Sequence, residues 1–141
     1  MADESKRITV EAVLENVEKV TEFVNQELEQ LGCSVKTQMQ IDVAIDELFG
    51  NIANYAYYPQ KGGMATIEVS RSAESPAQVA ITFQDQGKPY NPLEKEDPDI
   101  TLGAAERPIG GLGIFLVKKT MDDIAYEYRD GKNILTIKKN L

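Results

Sequence analysis

From Val13 onward the apolar residues Val13, Val17, Val20, Val24, Leu28 and Leu31 recur every three or four positions. Glu15, Glu18, Lys19, Glu22 and Glu29 fill the other side. That period predicts an amphipathic helix, stopped by Gly32. Ahead of it, Lys6 to Val10 reads as a short strand. A second helix is predicted from about Lys36 to Tyr57. Its apolar residues, among them Met39, Ile41, Val43, Ile45, Leu48, Phe49 and Ile52, cover most of the circumference, so burial on nearly all sides is expected. Tyr58-Pro59 and Gly62-Gly63 end it.

The period then changes to two. Ala65, Ile67 and Val69 alternate with Thr66, Glu68 and Ser70, and Val79, Ile81 and Phe83 alternate with Ala80 and Thr82. The short turn-rich connection predicts an antiparallel pair. No period persists from Asp85 to about Gly113, and a loop of that length in a compact domain is usually functional or disordered. A short helix follows from Ile114 to Met121, then strands near Ile124–Tyr128 and Ile134–Lys138 around an Asp130-Gly131 turn. This order predicts an α+β fold: two layers, a mixed or antiparallel sheet, helices on one face, and a single domain over residues 1–141.

Composition narrows the chemistry. The chain of 141 residues has no histidine, which excludes Ser-His-Asp and Cys-His catalysis and His-ligated zinc. The one cysteine, Cys33, suits a reducing cytoplasmic setting and reads as a small residue past a helix end. A net charge of −8 opposes contact with nucleic acid or anionic lipid. The polar start MADESKR does not resemble a signal peptide, and no run reaches the roughly 18 apolar residues that span a bilayer. No nucleic-acid or membrane partner is therefore expected.

Three features could carry chemistry. Glu47, Asn51 and Asn54 share one stripe of the apolar second helix. The stripe either faces solvent or a neighbouring loop, or it lines a cavity where carboxylate and amide oxygens suit Mg²⁺. Asp85-Gln86-Gly87 follows a strand and is either an ordinary turn or a hydrogen-bond acceptor for an exocyclic amine, with glycine letting a flat ring approach. Gly110-Gly111-Leu112-Gly113 feeds a helix and is either a hinge or a set of backbone N–H groups for phosphate.

Taken together, and in this order, these segments resemble the GHKL ATP-binding fold of gyrase-type ATPases, a heat-shock chaperone and histidine-kinase catalytic domains. The nearest resemblance is to its small bacterial branch, the anti-sigma-factor serine/threonine kinases. It covers nearly the whole chain. It is carried by Asp46-Glu47-Leu48-Phe49-Gly50-Asn51 with Tyr55-Ala56-Tyr57, by Asp85-Gln86-Gly87, by Arg107-Pro108 leading into Gly110-Gly111-Leu112-Gly113, and by Met121-Asp122 and the Leu135-Thr136-Ile137 strand.

The resemblance implies ATP and Mg²⁺ as cofactors. It implies Glu47 as general base, Asn51 as Mg²⁺ ligand, and Asn54 and Tyr55 as pocket support. Asp85 would take the adenine amine, Gly87 would lie beside the base, and Thr136 would reach adenine from the last strand. The segment from about Asn91 to Gly111 would be a lid, with Gly111, Leu112 and Gly113 at the phosphates. Its acids Glu94, Glu96, Asp97, Asp99 and Glu106 outnumber its cations, so Arg107 is expected to meet the γ-phosphate or an acceptor protein.

The implied partners are a sigma factor, a small anti-sigma-factor antagonist as phosphoacceptor, and a second copy of the chain as homodimer. Two functions follow: a serine/threonine kinase that sequesters a sigma factor, or a nucleotide-dependent partner switch without transfer. The missing histidine argues against a histidine kinase.

Overall fold

The computed structural model describes residues 5–72, 77–94 and 112–141. Strand β1 (Ser5–Glu11) leads through a 3-10 turn (Leu14–Asn16) into helix α1 (Val17–Gln30), which lies beside α2 (Val35–Asn51). A π-helical turn (Ile52–Ala56) extends α2. Then come β2 (Met64–Ser72), β3 (Gln78–Asp85), a 3-10 turn (Pro92–Glu94), α3 (Leu112–Thr120), β4 (Asp123–Arg129) and β5 (Lys132–Asn140). The strands form one sheet in the order β1-β2-β3-β5-β4, with every pair antiparallel. The fold is α+β, as expected.

Local chemistry accounts for the boundaries. Val13 is extended, so the apolar period that begins there becomes α-helical only at Val17. Gly32 sits at φ +73°, a conformation costly for any residue with a Cβ. It closes α1 with two bonds, Gly32 N–H to Glu29 O at 3.1 Å and Cys33 N–H to Leu28 O at 3.1 Å, the Schellman arrangement that satisfies terminal carbonyls. Ser34 caps α2 by accepting from Thr37 N–H at 3.1 Å. Asp130 and Gly131, both at positive φ, make the two-residue turn between β4 and β5.

The core lies between the helices and one sheet face. Val20, Val24 and Leu28 of α1 and Ile41, Ile45, Leu48 and Phe49 of α2 are buried there. So are Ile67, Val69, Ile81, Phe83 and Ile137 of the sheet, with Ile114 and Val117 of α3. The opposite face is polar: Thr9 pairs with Thr66 at 2.9 Å and Thr82 with Thr136 at 3.1 Å through their hydroxyls. Helix α2 is less enclosed than its apolar content predicts. Val35, Met39 and Val43, four residues apart, form an exposed stripe. Its apolar circumference exceeds what the sheet, α1 and α3 cover among the described residues. Cys33 is half-buried and unpaired, and burial pushes its thiol up, away from a reactive thiolate. No helix of the described residues is long and apolar enough to cross a membrane.

Candidate functional site

On strand β3 the core-facing positions are Val79, Ile81, Phe83 and then Asp85. On β5 they are Ile137, Leu135 and then Asn133. The register sets Asp85 directly opposite Asn133. A carboxylate and an amide therefore meet where two apolar rows end. Each is only 6% exposed. Burial of this kind requires partners, and they are present. Asp85 Oδ1 accepts from Gly87 N–H at 2.8 Å and from Asn133 Nδ2 at 2.9 Å. Burial pushes the Asp85 carboxyl above its ordinary range, against the downward pull of the hydrogen bonds from Asn133 and Gly87.

This pair stands at the wall of a cavity of about 260 Å³. Leu48, Ile52 and Ala56 of the α2 segment, Phe83 of β3 and Leu135 of β5 give it apolar walls. Asn51, Tyr55, Lys88, Tyr90 and Tyr126 add polar groups. An apolar slot with a few convergent polar groups is the usual form of a small-molecule site. One turn before Asn51, Glu47 accepts from Asn51 Nδ2 through Oε1 at 3.4 Å. Gly113, at the start of α3, packs so tightly on Glu47 that a Cβ there would collide with the carboxylate oxygens. Glu47, Asn51 and the start of α3 therefore meet beside the slot, and the Asp85–Asn133 pair stands on the wall formed by the sheet.

Several expected site residues are thus brought together: Asn51, Tyr55 and Asp85 on the cavity, with Glu47 and Gly113 beside it. Others stand elsewhere. Asn54 is exposed and does not line the cavity. The π turn has more residues per turn than an α-helix, which rotates Asn54 off the stripe of Glu47 and Asn51. Thr136 points to the opposite sheet face, where it bonds Thr82. Side chains alternate along a strand, so Asn133 and Leu135 take the cavity side. Gly87 is not on the cavity lining, and its glycine serves a backbone approach: a Cβ there would overlap the Ala56 carbonyl. Arg107, Gly111 and the acids at 96, 97, 99 and 106 lie outside the described residues, as does the Leu112 side chain. Glu94 is exposed.

That close approach has a measurable consequence. Lys88 N–H is held to Ala56 O at 2.9 Å, so neither backbone can yield to an added methyl. Gly87→Ala should destabilise by about 1–3 kcal/mol, a fall of several degrees in thermal midpoint. An unchanged midpoint would show that the segment after β3 is free to move away from Ala56.

Asn133 and Tyr126 are site residues that pattern reading missed. The available signal was parity. Asn133 occupies the same alternating row as Leu135 and Ile137, and a polar residue in a core-facing row calls for a reason.

The model for the histidine kinase-like ATPase domain matches residues 10–139. The chain belongs to that family. Among curated relatives, this histidine kinase-like ATPase domain is 27% identical over 104 residues to the serine/threonine-protein kinase BtrW of Bordetella bronchiseptica, covering 74% of this chain and 71% of that one. It is 23% identical over 111 residues to the serine-protein kinase RsbW of Listeria monocytogenes, covering 76% and 69%. It is 26% identical over 114 residues to the RsbW of Oceanobacillus iheyensis, covering 77% and 70%. The solved structure of RsbU and RsbW domains from Mycobacterium tuberculosis superposes with a TM-score of 0.65 at 16% identity. It covers 98% of this histidine kinase-like ATPase domain and 32% of the solved chain, a likeness of fold.

Proposed function

We propose that residues 1–141 form an anti-sigma factor of the cytoplasm. This factor binds Mg²⁺-ATP and transfers the γ-phosphate to a serine or threonine of a small antagonist protein, and it sequesters a sigma factor as a homodimer. The observation that carries the reading is a carboxylate-bearing apolar slot whose α2 wall continues directly to Glu47 and Asn51. The ring of adenine suits the apolar walls, and its exocyclic amine suits Asp85. The relatives named as serine kinases support transfer to a hydroxyl.

The residues present fit Mg²⁺. Asn51 gives its Nδ2 to Glu47, which leaves its amide oxygen for a cation. No group of three or more His, Cys, Asp or Glu forms a protein cage among the described residues. Mg²⁺ commonly takes few protein ligands and completes its shell with phosphate and water. When bound it would neutralise phosphate charge. Glu47 would accept the proton of the attacking hydroxyl, and the N-terminus of α3 at Gly113 would present backbone N–H groups to the phosphates. Phosphoryl transfer is largely positioning and charge stabilisation, so no histidine is required.

Thermal unfolding with and without Mg²⁺-ATP tests the reading. A ligand at 100 times its Kd stabilises by about 2.7 kcal/mol, a rise of roughly 10 °C for a domain of this size. No rise with ATP or ADP at millimolar concentration would remove the nucleotide from the proposal. The alternative of a partner switch without transfer is separated from the kinase by Glu47.

A further inference from the structure

Asn133 is buried, and both ends of its amide are occupied. Nδ2 donates to Asp85 Oδ1 at 2.9 Å and to Lys88 O at 2.9 Å, with a longer approach of 3.5 Å to Gly87 O. Oδ1 accepts from Tyr90 N–H at 3.1 Å and from the Tyr126 hydroxyl. One side chain thus ties together strands β3, β4 and β5 and the segment from Gly87 to Tyr90. Lys88, Pro89 and Tyr90 of that segment line the cavity.

The consequence falls on Asp85. Both hydrogen bonds that its carboxylate accepts among the described residues land on Oδ1. Oδ2 takes neither of these bonds, and Asp85 lines the cavity. An ionised carboxylate offers only acceptor sites, whereas a protonated one can donate. The donor from Asn133 favours the ionised form. While Asp85 is ionised, a ligand meeting it must bring its own N–H.

We propose that Asn133, held by Tyr126, is the positioning residue of base recognition: it occupies Asp85 Oδ1 and pins the cavity rim, so that Asp85 Oδ2 selects an exocyclic amine over a carbonyl. The proposal rests on the reading of the cavity as an adenine-nucleotide site and adds the origin of its selectivity. An apolar residue of similar volume at position 133 removes the donor while filling the space. Asp85 then holds its proton to higher pH, and the protonated carboxyl can donate to a ring carbonyl. A residue with a merely structural role would weaken all nucleotides alike and leave the pH profile in place.

The experiment measures Kd for ATP and for ITP, which carries a carbonyl in place of the amine, by calorimetry from neutral pH downward. Wild type, Asn133→Leu and Tyr126→Phe are compared, the last because it keeps the ring and removes a single donor to Asn133. Wild type should prefer ATP. Asn133→Leu should weaken ATP by about tenfold or more, as expected for loss of a bond to a charged buried group. It should weaken ITP less, and it should move the acid limb of ATP binding to higher pH. Tyr126→Phe should shift the ATP/ITP ratio the same way by a smaller factor, which serves if Asn133→Leu does not fold. A ratio and acid limb unchanged in the folded variants would overturn the positioning role and leave the nucleotide site standing. Wild type that binds neither nucleotide would overturn both.

Discussion

Glu47→Gln should leave Mg²⁺-ATP affinity close to wild type and slow transfer of the γ-phosphate by about 10²–10⁴-fold, the usual worth of a general base. The amide is nearly isosteric, and its oxygen can still accept from Asn51, which now bonds Glu47 Oε1 at 3.4 Å. The substitution removes the negative charge and with it the capacity to take a proton. The carboxylate is held where it can act: Gly113 lies against it, and a side chain there would displace it. Single-turnover transfer to the acceptor protein, set beside calorimetric affinity for ATP, reads the two effects separately. If transfer proceeds at the wild-type rate, Glu47 is not the base. If wild type binds ATP and transfers nothing to any hydroxyl, the partner-switch reading takes its place.

Asp85→Asn should separate stability from binding. In wild type, desolvation is the largest influence on the Asp85 carboxyl and raises it, opposed by hydrogen bonds from Asn133 and Gly87. A folded-state value above the unfolded one means that the native protein holds the proton more tightly. The contribution of Asp85 to stability is then fully present below the unfolded value and is lost as pH rises through the folded value. Once ionised, the group therefore costs stability, and the neutral amide removes that cost while its oxygen can still accept from Gly87 and Asn133. The ligand-free thermal midpoint at neutral pH should equal or exceed that of wild type. Nucleotide affinity should fall by about 10- to 100-fold, because a bond between an amine and a charged acceptor is replaced by two facing donors. Wild-type ATP binding should also weaken as pH falls through the raised carboxyl value, since the amine needs the ionised acceptor. A variant that loses stability and retains affinity would contradict both halves.

The two carboxylates differ in how far pattern reading reaches them. Glu47 and Asn51 are four residues apart on one helix, and helical geometry alone puts them on one face. Their contact follows from local structure. An unbroken α-helical period would put Asn54 in the same stripe. The π turn at Ile52–Ala56 breaks that period, and spacing alone does not encode it. Asp85 reads from the sequence as either a turn residue or an acceptor at a strand end, and its partner Asn133 is 48 positions away. Thr136 was preferred on β5 through family resemblance, although its parity with Ile134 and Lys138 sets it on the polar face.

The type and order of the elements, the glycine-stopped end of α1 and the family are set by the amino-acid sequence alone. Those depend on periods of 3.6 and 2 and on local backbone chemistry, all of which act over a few residues. The sequence also determined that none of these 141 residues is a histidine, so any proton transfer within them falls to other side chains. The tertiary structure alone decided that Asp85 and Asn133 face one another, that Gly87 makes room for a helix carbonyl, and that Val35, Met39 and Val43 stay exposed among the described residues. The physical reason is common to all three. Antiparallel register and helix docking join residues distant in the chain, and a shift of one position in a strand exchanges its two faces. What the cavity can recognise is therefore set by the pairing of β3 with β5.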